Sequence, residues 1–323
     1  MIKRIRKSGR SILFLTLAFV VLICSGCSKE VGQETTGKDE VTTTWEEEEV
    51  QYRVCITGDV HYAVQREWFG WSNEDRLQFW VDTILEEHER EPFDLIIING
   101  DTSLDYWVSG GTMYNFGVSQ TEMLMNDYIS QLPQDVPVVV LPGNHEQYSD
   151  EKWRKLTGNG RSETYVLGNN LFVMPDSFGE NLEPDYNYDG TETVLDAAYI
   201  RKAMEKYPDH NVYIISHYIN PERQSGAFWR ICHEENVRGM FSGHTHAKSI
   251  LFPTLGSGKT IAQTGNFAHD DKIDVEDGTW GIRDLIITEN HAVSRYVTAD
   301  CAMVVNDKPM HFKRQILNVV EYY

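Results

Sequence analysis

Eight side chains of the types that ligate cations or carry protons stand where apolar runs break off. The run at 52–57 leads into Gly58-Asp59-Val60-His61, and the run at 93–98 into Asn99-Gly100-Asp101. The run at 136–141 leads into Gly143-Asn144-His145-Glu146, 212–215 into Ser216-His217, and 237–241 into Gly243-His244-Thr245-His246. Ligands of open α/β sheets gather at the carboxyl ends of strands. Read as strands, the five runs deliver Asp59, His61, Asp101, Asn144, His145, His217, His244 and His246 to one rim. Within Asp59/His61 and His244/His246 the i, i+2 spacing sends both side chains of an extended pair the same way. The donors are oxygen and imidazole without thiolate, which suits Zn, Mn or Fe and argues against a structural zinc site. Seven ligands exceed what one catalytic ion with open positions needs. They suit two ions sharing a carboxylate, an arrangement known for phosphoester hydrolysis at a separation of about 3.5–4 Å.

The elements that must position these groups follow an alternating pattern. Helical periodicity covers 74–90, 119–131, 193–207 and 222–235, between the apolar runs. The segments 259–264, 283–288 and 293–298 read as later strands without intervening helices. Alternation first and strands afterwards predicts a layered α/β fold. With no repeat and no second linker, 48–323 reads as one domain.

The ordered blocks Asp59-x-His61, Gly100-Asp101, Gly143-Asn144-His145-Glu146, His217 and Gly243-His244-x-His246 resemble the calcineurin-like metallophosphoesterases over about residues 52–250. The resemblance implies an α/β four-layer αββα sandwich with two mixed β-sheets. It implies two divalent metal ions (Mn, Fe or Zn), one held by Asp59, His61, Asp101 and His246, the other by Asp101, Asn144, His217 and His244, with Asp101 common to both. Hydroxide between the ions would attack a small phosphomonoester or phosphodiester in line. His145 would be the general acid, and Asn144 would also touch a phosphate oxygen. Leu104 stands where the purple acid phosphatases carry a tyrosine ligand, so the Fe(III)-tyrosinate branch is not implied. Whether Asp105 orients His145 stays open. The alternative is a surface lipoprotein whose metal site is structural or partner-binding.

The N-terminus reads as an address. Lys3, Arg4, Arg6, Lys7 and Arg10 precede an apolar run at 11–24, too short for a permanent span of about 20 residues. Ser25-Gly26-Cys27 resembles a bacterial lipoprotein cleavage box, which implies a signal peptide over 1–26 and lipidation of Cys27. An uncleaved anchor is the alternative, and both place the body on the extracytoplasmic side of the cell membrane. Residues 27–47 read as an acidic flexible tether. The net charge of −20 excludes a grip on a nucleic-acid polymer, which needs clustered Lys and Arg. Cys55, Cys232 and Cys301 are too few and too scattered for a disulfide framework, and Cys55 reads as a buried thiol. The aromatics Trp68, Phe69, Trp71, Tyr106, Trp107, Tyr114 and Phe116 crowd two of the loops after the ligand blocks. They read as packing, Arg154 and Arg161 as a solvated face, and the histidines outside the blocks as exposed, with His269 the one to watch.

Overall fold

The computed structural model describes residues 45–64, 66–105, 119–180, 182, 190–251, 259–268 and 279–322, all within one unit, Thr43–Tyr323. The residues read as a signal peptide, Cys27, nearly all of those read as a tether, Tyr106, Trp107, Tyr114, Phe116 and His269 lie outside them.

Two six-stranded mixed sheets carry the fold. The first comprises β1 (Tyr52–Thr57), β2 (Leu95–Asn99), β3 (Val138–Leu141), β10 (Gly281–Ile287), β11 (Ala292–Thr298) and β14 (Ile316–Tyr322), in the order β14-β11-β10-β1-β2-β3. In it β1, β2 and β3 run parallel, while β10, β11 and β14 pair antiparallel. The second holds β4 (Glu163–Leu167), β5 (Asn170–Met174), β6 (Asn211–Ser216), β7 (Val237–Ser242), β8 (Ile250–Leu251) and β9 (Ile261–Gln263), in the order β4-β5-β6-β7-β9-β8. A separate hairpin joins β12 (Cys301–Val305) to β13 (Lys308–Phe312).

Alternation along each strand divides the core into three seams. Val54 and Ile56 of β1 face inward between the sheets, against Phe172, Tyr213 and Phe241. Cys55 faces outward against Leu77, Trp80 and Ile84 of helix α1 (Asn73–Arg90), a seam shared by α2 (Gln120–Asp127). On the far side Leu171, Val212 and Met240 pack against α4 (Ala197–Lys206) and α5 (Gly226–Cys232). Strands covered on both faces read as continuous apolar runs, which is why β1, β2 and β6 stand out in the sequence. The result is the αββα sandwich that the resemblance implies. Helix starts are equally local: Ser72, Ser119 and Ser225 each accept the amide three residues on, as an N-cap should.

The structure adds a short helix, α3 (Asp150–Thr157), the β4–β5 hairpin, the β12–β13 hairpin and β14 to the expected elements. Cys55, Cys232 and Cys301 are buried and free, and Cys55 is the expected internal thiol.

Candidate metal centre

The ligand-bearing loops leave the carboxyl ends of β1, β2 and β3 in one sheet and β6 and β7 in the other. The rim expected from sequence is therefore shared between two sheets. Hydrogen bonds pin them together there: Asn99 Nδ2 donates to the Ser216 carbonyl at 3.1 Å, and His217 Nδ1 lies 2.8 Å from the Asn99 carbonyl.

All eight candidate residues converge. Asp101 Oδ2 lies 3.2 Å from His217 Nε2, 3.3 Å from His61 Nε2 and 3.7 Å from His145 Nε2. Asp59 Oδ1 lies 3.5 Å from His246 Nε2 and 3.9 Å from His61 Nε2. Asn144 Oδ1 sits 2.8 Å from His244 Nδ1 and 3.1 Å from His217 Nε2. Three overlapping sets, Asp59/His61/His246, His61/Asp101/His145 and Asp101/His217/His244, each gather donor atoms within 4.8 Å.

Their backbones are strained. Of nine non-glycine residues with positive φ among the described residues, five are Asp59, His61, Asp101, His244 and His246, at φ between 46° and 67°. That conformation is uncommon for side-chain-bearing residues, and such strain gathers at functional sites where the surroundings over-determine it. Here the surroundings are specific. Glu146 is fully buried and accepts the amides of Gly143 (2.7 Å), Ser103 (2.8 Å) and Asp101 (3.0 Å) and the Thr102 hydroxyl (3.0 Å). It clamps the Asp101 loop to the Asn144-His145 loop. The buried guanidinium of Arg76 donates to the carbonyls of Val60, His61 and Phe267, holding the Asp59–His61 turn from behind. Asn266 Nδ2 donates to the His246 carbonyl at 2.7 Å.

Three of the imidazoles are held in the form that ligates a cation. Burial pushes His61 and His244 down to about 4 and His246 to about 3, so these imidazoles are neutral at pH 7, the form that ligates. Burial, reinforced by Asp101, lifts Asp59 well above the usual carboxylate range. Burial acts on Asp101 too, but the adjoining His217 and His145 hold it well below that range. Against the downward pull of its own burial, His217 is raised to about 10 by Asp101. Burial and Asp101 push Glu146 up to about 7.

One feature fits the pocket to divalent cations: the buried Nε2 of His61 lies 3.3 Å from Asp101 Oδ2 and 3.9 Å from Asp59 Oδ1 without a well-formed hydrogen bond to either. The residues able to hold metal are Asp59, His61 and His246 on one side, Asn144, His217 and His244 on the other, and Asp101 between.

Other sequence expectations divide. Asp105 is buried and accepts from Ser119 Oγ, the amides of Gln120 and Thr121, and the Tyr148 hydroxyl, so its carboxylate is spent at the start of α2. Arg154 is half-exposed on a salt bridge to Asp150, as expected of a solvated face. Arg161 corrects that reading: it is buried, paired with Asp176 at 2.7 Å, and donates to the carbonyls of Glu146 and Tyr148. Long-range carbonyls that stabilise an internal guanidinium leave no local mark in sequence. His233 and His311 are exposed as expected, whereas His88, His210 and His291 are half-buried. Phe69 and Trp71 pack against the core, but Trp68 meets His61 edge-on at 6.3 Å between ring centroids. Phe178 and Tyr218, which the sequence did not single out, border His244 at 5.5 and 4.4 Å. Glu146 stood in a ligand block without a role, and Arg76 looked like any helix arginine.

A family model described as calcineurin-like phosphoesterase matches residues 52–248. Solved structures of similar fold include Vps29 complexed with Zn from Entamoeba histolytica, at 13% identity and TM-score 0.36, covering 82% of this chain and 98% of that one. GAP50, the anchor in the inner membrane complex of Plasmodium, aligns at 11% identity and TM-score 0.43, over 83% of this chain and 90% of its own. PhoD aligns at 9% identity and TM-score 0.49, over 82% and 69%.

Proposed function

The chain belongs to the calcineurin-like phosphoesterase family, and from that premise we propose that it hydrolyses a small phosphomonoester or phosphodiester with two divalent ions, Mn, Fe or Zn. The observation that carries this reading is the chain of three acid–imidazole sets, two of them sharing His61 and two sharing Asp101. Bound there, divalent ions supply Lewis acidity, neutralising phosphoryl oxygens and lowering the pKa of a water toward about 7. The chain's own residues do the rest. Asp59, Asp101, Asn144 and the four ligand imidazoles fix the cluster. Glu146 and Arg76 hold the loops so that little reorganises during reaction, which is where electrostatic stabilisation gains most. His145, beside Asp101 but on the margin of the ligand set, holds a proton for the leaving oxygen.

The test is His145→Gln. We expect metal content unchanged and turnover lower by about 10²–10⁴-fold, the usual worth of a positioned general acid. Unchanged turnover would remove the role. Chelator-sensitive hydrolysis of a chromogenic monoester and diester tests the activity itself, and inactivity with metal bound would favour a structural or partner-binding role. The basic and apolar N-terminus and Ser25-Gly26-Cys27 support a lipid anchor at Cys27 and an extracytoplasmic position at the cell membrane.

A further inference from the structure

We propose that Trp68 is a specificity-determining wall of the substrate pocket and that the phosphoester taken carries a flat, aromatic substituent; this rests on the phosphoesterase reading above. Three neighbouring aromatics have separate fates. Phe69 and Trp71 turn into the core, where both rings meet Trp280 at 6.2 and 6.1 Å, while Trp68 stands beside the metal-side imidazole of His61.

The chain holds that indole in place from several directions. Residues 68 and 71 exchange two backbone hydrogen bonds of 3.0 Å across a two-residue turn. Both central residues have positive φ, Phe69 at 55° and Gly70 at 82°. This is the primed turn that suits tight hairpins, but its first position is occupied by a bulky residue that the left-handed region disfavours. The β12–β13 hairpin, which belongs to neither large sheet, braces the strained turn. Val304 N donates to the Phe69 carbonyl at 2.8 Å, and Trp71 Nε1 to the Ala302 carbonyl at 2.7 Å. On the other side the Arg76 guanidinium lies 4.6 Å from the Trp68 ring centre. The same guanidinium binds the His61 carbonyl, so indole and ligand loop share one anchor. A strained turn, a dedicated hairpin and a buried cation make a stiff, flat wall at the edge of the centre. Such a wall gains most from a flat partner, because a planar ring lays its whole π-face on the indole whereas a puckered ring offers only some of its C–H groups.

The experiment compares benzyl phosphate with cyclohexylmethyl phosphate, and their methyl diesters, on the metal-loaded full-length protein. Each pair shares leaving-group chemistry and size and differs in flatness. The wild type should favour the benzyl esters by about tenfold or more in kcat/KM, mainly through KM. Trp68→Ala should bring the ratio near one with metal content unchanged; Trp68→Phe should keep most of the preference. Gly70→Ala should also lower the ratio, since a Cβ there would meet Val304 Cγ2 at 3.1 Å and shift the turn without touching substrate. A wild-type ratio near one, or a preference that survives Trp68→Ala, overturns the inference and leaves the phosphoesterase reading standing. A metal-loaded wild type inactive on every ester overturns both.

Discussion

Gly143 is where the Asp101 loop and the Asn144-His145 loop come closest, and Gly143→Ala should break the centre without removing any ligand. The amides of Gly143 and Asp101 both point at one oxygen of Glu146. That shared acceptor draws the two backbones so close that a Cβ on residue 143 would lie 2.5 Å from Asp101 N and 2.8 Å from Asp101 Cγ. Ordinary non-bonded contacts run about 3.5–4.0 Å, so one loop must retreat by roughly 1 Å. Asp101 cannot yield alone: Oδ1 accepts the His145 amide, and Oδ2 is hemmed in by three imidazoles. The displacement therefore passes to the carboxylate common to both ligand sets. A misplacement of about 1 Å costs on the order of 10²-fold in rate, or about 2.7 kcal/mol of barrier. The assay is metal content by atomic spectroscopy together with steady-state turnover. Gly226→Ala, on α5 with its nearest neighbour 3.6 Å away, serves as the control and should leave both unchanged. Full metal loading and wild-type turnover in Gly143→Ala would refute the claim that backbone proximity at this glycine sets the site.

Two further outcomes follow from the fold. Asp284, fully buried on β10, receives Arg53 through both carboxylate oxygens at 2.9 and 3.1 Å and Arg295 at 2.7 Å. Asp284→Ala removes the bidentate partner of the buried Arg53, which keeps Glu87 and Glu91, and should cost about 3 kcal/mol in urea unfolding, with little effect on turnover while the chain stays folded. Burial pushes the thiols of Cys232 and Cys301 up to about 12 and that of Cys55 higher still, so peptide mapping after native alkylation should find all three unmodified.

The ligands were legible because catalytic residue types interrupt apolar strands abruptly. A run such as Leu-Ile-Ile-Ile ending in Asn99-Gly100-Asp101 declares both strand and site. The αββα layering came from the resemblance, while the elements missed were mostly those whose burial is partial; β5 is the exception, a fully buried run that leads into no ligand block. In α3 only Trp153 is buried, so its amphipathic signal is one residue wide. Along β4 every residue is intermediate, and β13 and β14 are mostly exposed, so none shows the run that marks a central strand. Arg161, Arg76 and Glu146 were opaque for another reason. Their partners are main-chain groups brought from far along the chain, and sequence carries no record of where a distant carbonyl or amide will point. Trp68 differs from Phe69 and Trp71 only through a turn whose φ angles a Phe-Gly pair does not announce.

The most direct test of the account is anomalous diffraction from metal-loaded crystals combined with the metal-to-protein ratio in solution. Two ions per chain are expected, one beside Asp59, His61 and His246, the other beside Asn144, His217 and His244, with Asp101 contacting both. A single ion, none, or ions bound elsewhere while these residues keep their present positions would contradict it.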